Sequence, residues 1–176
     1  DQKAIALAIQ FDLNDMGYEI TNIVRYGSDV LKEVEGNRPD LVLMDIQMPV
    51  MDGYELCQKI KSDVKFRKIP VILVTSRIQT SSLMKGIEAG ADNYITKPYD
   101  DETLFSKVHE LLNNPIAVSD VKETVQVRIE SQPYNIKADY SHLVNLLVST
   151  YKNALAQNAQ LEKVQHGLNS TNQELE

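Results

Sequence analysis

The chain has 176 residues, 43% of them hydrophobic and 24% charged, enough for one full domain plus an appendage or for two small domains. A net charge of -7 argues against a broad nucleic-acid-binding face, which takes clustered Lys and Arg. The single cysteine, Cys57, excludes an internal disulfide and a thiolate zinc site and reads as a small buried residue on a helix, and no apolar run is long enough to span a bilayer.

In chain order, "KAIALAIQFDLNDMGY" carries apolar residues at helical spacing and stops at Gly17. "YEITNIV" reads as a short strand, and "GSDVLKEVEGN" as a helix with Ser28 or Asp29 available as its cap. "DLVLMD" is a continuous apolar run ending in Asp45, the pattern of a strand buried on both faces. A helix "GYELCQKIKSD", a second buried strand "IPVILVTS", a helix "TSSLMKGIEAGA" closed by Gly90, a short strand "NYITKP" and an acidic-capped helix "DDETLFSKVHELLNN" follow, with Pro115 ending the last. Strands alternating with helices, the strands apolar throughout, predict a doubly wound α/β fold with a parallel sheet.

Beyond Pro115 the pattern changes. "IAVSDVKE" is a polar connector, while "TVQVRIE" and "YNIKA" alternate on either side of "SQP", predicting a β-hairpin. From Asp139 a helix with no proline runs to Glu176. Leu147, Ala154, Leu161, Leu168 and Leu175 recur every seven residues, and Val144, Tyr151, Asn158, Gln165 and Asn172 stand three before them. A lone surface helix of this length is marginal in water, so a parallel two-stranded coiled coil is expected, with Asn158 fixing its register. The plainer alternative is a helix packed on its own domain. The domain boundaries predicted are 1–115 for the α/β domain, 116–138 for connector and hairpin, and 139–176 for the long amphipathic helix.

In parallel α/β sheets, sites form beyond the carboxyl ends of the strands. Three strands here end in polar residues: Asp45, Thr75-Ser76 and Lys97. A carboxylate can attack phosphorus and hold an acyl phosphate. An ammonium and a magnesium ion would neutralise the transferring group, and a hydroxyl would bond one of its oxygens. Magnesium takes hard oxygen ligands, so a further carboxylate is expected nearby. Taken singly, Asp45 reads as a helix cap and Lys97 as a solvated charge; three such residues at successive strand ends do not.

Residues 1–114 resemble the receiver domain of two-component response regulators through "LVLMDIQMPVMDG", "IPVILVTS", "GADNYITKPY" and the spacings between them. The resemblance implies a flavodoxin-like fold of strand order 2-1-3-4-5. It makes Asp45 the residue phosphorylated by a sensor histidine kinase, Thr75 the switch hydroxyl, Lys97 the phosphoryl-pairing lysine and Tyr94 the aromatic switch. It also implies a cis peptide before Pro98 and a magnesium ion that takes the backbone carbonyl of Gln47. Receiver domains open with an apolar central strand ending in two adjacent acids. Here the chain opens on the first helix, and Asp1 fits the second acid of that pair. The first strand is expected either to have been lost from the start or to be supplied by swapping. Asp1 and Asp45 are then the only magnesium carboxylates, with Gln47.

The function expected is a cytoplasmic receiver module in transcription regulation. It would lose its phosphoryl group slowly without being an enzyme, and would relay its state through a homodimerising linker to an output or sensory domain. No direct nucleic-acid binding is evident after Pro115. The alternatives are a dimerisation scaffold with a degenerate receiver and an aspartate-nucleophile phosphatase. The latter resembles haloacid dehalogenases, which carry an acid two residues after the nucleophile, where Gln47 stands. "YSHLVNLL" resembles only faintly the phospho-accepting helix of histidine kinases, so His142 is read as a polar residue of a first helical turn. His109 and His166 lack partners at metal spacing and are read as structural or solvated.

Overall fold

The computed structural model describes residues 2–24, 26–48, 51–76, 80–114, 123–129 and 132–138, together with 158, 161, 164 and 165. Helix α1 (Gln2–Asp15) ends where Gly17 turns the chain at φ 89°, and Tyr18 N–H reaches back to Leu13 O at 2.9 Å. Helix α2 (Gly27–Asn37) leads into strand β1 (Val42–Asp45), and helix α3 (Gly53–Ser62) follows the loop after it. Strand β2 (Val71–Thr75), helix α4 (Thr80–Ala89), strand β3 (Asn93–Thr96) and helix α5 (Asp101–Asn113) complete the alternation. The caps are local: Asp52 accepts from Glu55 N–H at 2.8 Å, and Asp100 from Thr103 N–H at 2.7 Å. The hydrogen bonds from Thr103 hold the Asp100 carboxyl below its usual value. Neither Ser28 nor Asp29 caps α2. Its N-cap position is Tyr26, without a side-chain bond, and Asp29 lies inside the first turn, where it meets Lys32 at 3.5 Å.

The three strands form a parallel sheet in the order β1-β2-β3, with Asp45 opposite Val74 and Thr75 opposite Thr96. Alternation sorts the strand residues to two faces. Val42, Met44, Val71 and Leu73 pack with Val34, Leu56, Cys57 and Ile60 of α2 and α3. Ile72 and Ile95 pack with Leu13 of α1 and Leu104, Val108 and Leu111 of α5. Burial of both faces is why β1 and β2 are apolar up to their last residues, Asp45 and Thr75.

Residues 18–24, expected as a strand, are irregular. A cleft of about 760 Å³, lined among others by Ile20, Val24, Leu41, Leu43, Asp45 and Lys97, runs beside β1. Residues 18–24 line it together with β1 and make no ladder with it. The 2-1 half of the expected strand order has no counterpart among the described residues. The segment is anchored at its start, where the Tyr18 hydroxyl meets His109 Nδ1 at 2.9 Å and the Tyr18 ring tilts against Phe105. His109 itself stacks on Phe105, a structural position.

The edge of the sheet where β2 and β3 begin is closed by a buried pair. Lys61 Nζ contacts Asp92 Oδ2 at 2.5 Å and also donates to Ile69 O, while Val71 N–H donates to the same carboxylate oxygen. Beside it, Lys107 on α5 donates to Asn93 Oδ1 at 3.0 Å.

Past α5, strands β4 (Glu123–Ile129) and β5 (Gln132–Ala138) pair antiparallel, with Ile129 opposite Gln132. Gln132 and Pro133, expected in the turn, belong to β5. The connector and most of the long helix lie outside the described residues, including His142 and His166. Asn158, Leu161, Val164 and Gln165 are helical and exposed.

Cys57 is fully buried, its thiol facing Ala89 O at 3.5 Å. Burial raises the thiol from 9.0 to about 12, a shift that nearby Lys61 lessens. Since the folded value lies above the unfolded one, the thiol's contribution to stability is constant below pH 9 and erodes as the pH climbs from there to about 12. In the native chain a disulfide thiol reagent at pH 8 is expected to leave Cys57 unmodified and to label it promptly in urea. Prompt labelling without denaturant would show the site to be open.

Candidate functional site

The strand ends meet as their sequence positions require. Ile46 N–H continues the ladder to Val74 O at 3.0 Å, and Lys97 N–H does so to Thr75 O at 2.7 Å. These two bonds hold the residue after β1 and the residue after β3 against the end of β2. From there the Lys97 side chain reaches Asp45, its Nζ contacting Oδ2 at 2.5 Å. Both side chains are partly buried, 22% and 24% exposed, which leaves room for a reagent while keeping the pair from full solvation. The other carboxylate oxygen, Oδ1, accepts Gln47 N–H at 3.0 Å. Both oxygens of Asp45 are thus directed, one by a charge and one by a backbone dipole.

The loop after Asp45 is drawn in by Gly53, whose N–H donates to Ile46 O at 3.0 Å. A Cβ on Gly53 would stand 2.7 Å from Asp45 O and 2.8 Å from Ile46 Cα, both backbone atoms. The start of α3 is therefore packed directly against the backbone of the carboxylate-bearing residue. Pro49, which shares this loop, lies outside the described residues.

Thr75 is the last residue of β2 and is buried, 6% exposed; its carbonyl holds Lys97 N–H. Tyr94 on β3 is part-buried against the core of the α2 and α3 face. The Lys97-Pro98 peptide is cis. Tyr99, not singled out from the sequence, lies near the rim. Its hydroxyl is pushed above the usual tyrosine value first by burial and then by Asp12, Asp45 and Asp101. Only the fold brings Asp12 and Tyr99 within electrostatic reach of one another.

Among the described residues the Asp45 carboxylate is a hard oxygen donor of the kind magnesium takes, but magnesium asks for six ligands. No group of three His, Cys, Asp or Glu side chains able to hold a metal is found among the described residues, and Asp1 lies outside them. The described side chains thus do not complete a magnesium site. Chemically, the rim offers an oriented carboxylate nucleophile with an ammonium already in contact, the combination that phosphoryl acceptance needs.

Residues 1–109 match the family model of the response regulator receiver domain. The response regulator PleD of Caulobacter vibrioides is 34% identical over 106 residues, 60% of this chain and 23% of PleD. The response regulator ArlR of Staphylococcus saprophyticus is 28% identical over 163 residues, 88% of this chain and 72% of ArlR. Among solved structures, the signal receiver domain of a histidine kinase from Syntrophus aciditrophicus superposes with a TM-score of 0.60 at 35% identity, covering 69% of this chain and 92% of that one. A CheY-like receiver domain from Methanospirillum hungatei gives 0.59 at 30% identity, covering 64% and 88%. The chain belongs to the response regulator receiver domain family of two-component systems. It spans only 23% of PleD and 60% of the phosphate regulon regulator PhoB of Rhizobium meliloti, so it matches one part of those proteins. Receiver domains typically bind Mg2+ at the phosphorylation site. Among the described residues no helix is long and apolar enough to cross a membrane.

The Gly53 contact makes a direct test of this geometry. Gly53→Ala is expected to force the loop and α3 apart and to lower stability by about 1–3 kcal/mol, the usual range for overpacking. Urea unfolding monitored by circular dichroism measures it, and an unchanged midpoint would mean that α3 does not abut the Asp45 backbone.

Proposed function

We propose that Asp45 accepts a phosphoryl group from a phosphohistidine of a sensor kinase. One carboxylate oxygen attacks phosphorus, the P–O bond forms as the P–N bond breaks, and the histidine leaves with the bonding pair. The observation that carries this reading is the Lys97 ammonium on Asp45 at the carboxyl rim of the sheet. That cation is in place before the reaction and faces the charge that builds on the phosphoryl oxygens. Thr75 supplies a hydroxyl at the neighbouring strand end, and Tyr94 is the aromatic residue whose packing follows Thr75. The full receiver order is 2-1-3-4-5, and the metal is Mg2+ on Asp45 and the Gln47 carbonyl with Asp1 as the further acid. The phosphorylated chain is a signal carrier, and its slow self-hydrolysis does not make it an enzyme.

The test uses a small acyl phosphate donor with magnesium and intact-mass detection. The parent chain is expected to gain one phosphoryl group and Asp45→Asn none. Equal labelling of the two would end this assignment.

The long C-terminal helix is proposed as the dimerising linker to an output or sensory domain. Leu161, at one seam position, is 66% exposed on the single chain, as a seam leucine awaiting a partner helix would be. Sedimentation velocity with and without the residues after Tyr140 should show a dimer only when they are present; a monomer in both would overturn the linker's role.

A further inference from the structure

Helix α4 is gripped from two sides. On one side Tyr54, the second residue of α3, donates its hydroxyl to Ser82 O in the first turn of α4 at 2.9 Å. Further along, the Tyr54 ring edge comes within 3.8 Å of where a Cβ on Gly86 would stand. On the other side strand β5 packs on α4. Asn135 gives its backbone N–H to the carboxylate of Glu88 at 2.8 Å, and the next residue, Ile136, is only 5% exposed.

That hydrogen bond fixes how the hairpin presents itself. Asn135 stands opposite Gln126 in the β4–β5 pair. Because its N–H goes to Glu88, it points away from β4, onto the outer edge of β5. Two residues earlier on that edge, Pro133 has no N–H at all. The outer edge of β5 is therefore closed by a proline and a carboxylate, and the hairpin is seated on a helix instead of being open to another strand.

The other grip leads back to the acceptor carboxylate. Tyr54 follows Gly53, which is wedged against the Asp45 carbonyl. A continuous set of contacts thus joins Asp45 to Gly53, Tyr54 to Ser82, and Glu88 to Asn135. The bond from Asn135 N–H to the Glu88 carboxylate is a single charge-assisted hydrogen bond, and a shift of α4 by a fraction of a turn suffices to break it.

We propose that the hairpin is an intramolecular clamp on α4: docked through Glu88 and Asn135 while Asp45 is unmodified, and released when Asp45 is phosphorylated. Release uncovers the outer face of α4. The trigger rests on the reading of Asp45 as phosphoacceptor; the dock itself does not.

Hydrogen exchange read by mass spectrometry on the full chain tests it, with and without the acyl phosphate donor and magnesium, the phosphoryl group being followed by intact mass on the same sample. Phosphorylation should raise exchange over residues 132–138 about tenfold, within the usual range of coupling between sites. Glu88→Ala should raise it equally without donor. Asn135→Pro removes the N–H that Glu88 holds, and with it the side-chain oxygen that Gln126 Nε2 approaches at 3.5 Å, and should raise exchange over the remaining amides of 132–138 in the same way. Neither variant should respond further to the donor. A mass gain on Asp45 with unchanged exchange would overturn the clamp and leave the acceptor reading intact. Hairpin exchange unmoved in both variants would overturn the dock. An absence of mass gain would remove the trigger together with the acceptor reading, the dock then standing or falling on the two variants.

Discussion

Parallel strands that pair in register all finish at the same edge, and everything at the rim follows from that. With β1, β2 and β3 side by side, the outer two lie about 10 Å apart, twice the spacing of neighbouring strands. A carboxylate at the end of one and a short side chain at the end of the other would not touch. Lysine has the reach, and the Lys97 N–H bond to Thr75 O sets its starting point. The contact with Asp45 is thus a product of ladder register and side-chain length together. Moving either strand by one residue would turn its terminal side chain to the other face of the sheet.

The same molecule holds a second lysine–aspartate pair at the opposite edge, and the contrast is instructive. Lys61 and Asp92 are 9% and 7% exposed, and they also bond backbone atoms just before and at the start of β2, Ile69 O and Val71 N–H. Loss of one partner from such a pair costs roughly 3–5 kcal/mol, because the other is left charged and dry. Lys97 and Asp45 are about three times as exposed, and one partner of Asp45 is a mere peptide N–H. One pair has no access for a reagent and serves to align strands; the other has its access left open. Residue type is identical in the two, and burial separates structure from chemistry.

Much of this was legible in the sequence because it is set locally. Buried parallel strands show as unbroken apolar runs, and strand ends show where those runs stop, so Asp45, Thr75 and Lys97 stand out before any coordinates. Capping by Asp100 is equally local. The segment 18–24 misled because a short run rich in Tyr, Ile, Thr and Val makes a strand only if a neighbour supplies a ladder, and pairing is decided by distant residues. Gln132 and Pro133 misled in the opposite sense: a proline reads as a turn, yet on the outer edge of β5 it lacks nothing that the ladder needs. Tyr99 was invisible as a rim residue because its nearness to Asp12 and Asp45 comes from distant elements converging, and no spacing in the chain records it. Glu88 and Asn135, 47 residues apart, belong to the same class.

The close approach of Gly53 to the Asp45 backbone has a mechanical meaning. With no side chain between them, a helix start and a strand end meet backbone to backbone, so no rotamer lies between the two to absorb a displacement of one against the other. Tyr54 sits one residue from that contact and its hydroxyl holds Ser82 O, so the same helix start that abuts the acceptor also carries the tie to α4. A glycine, by what it lacks, makes the joint between acceptor strand and helix as short as a chain allows.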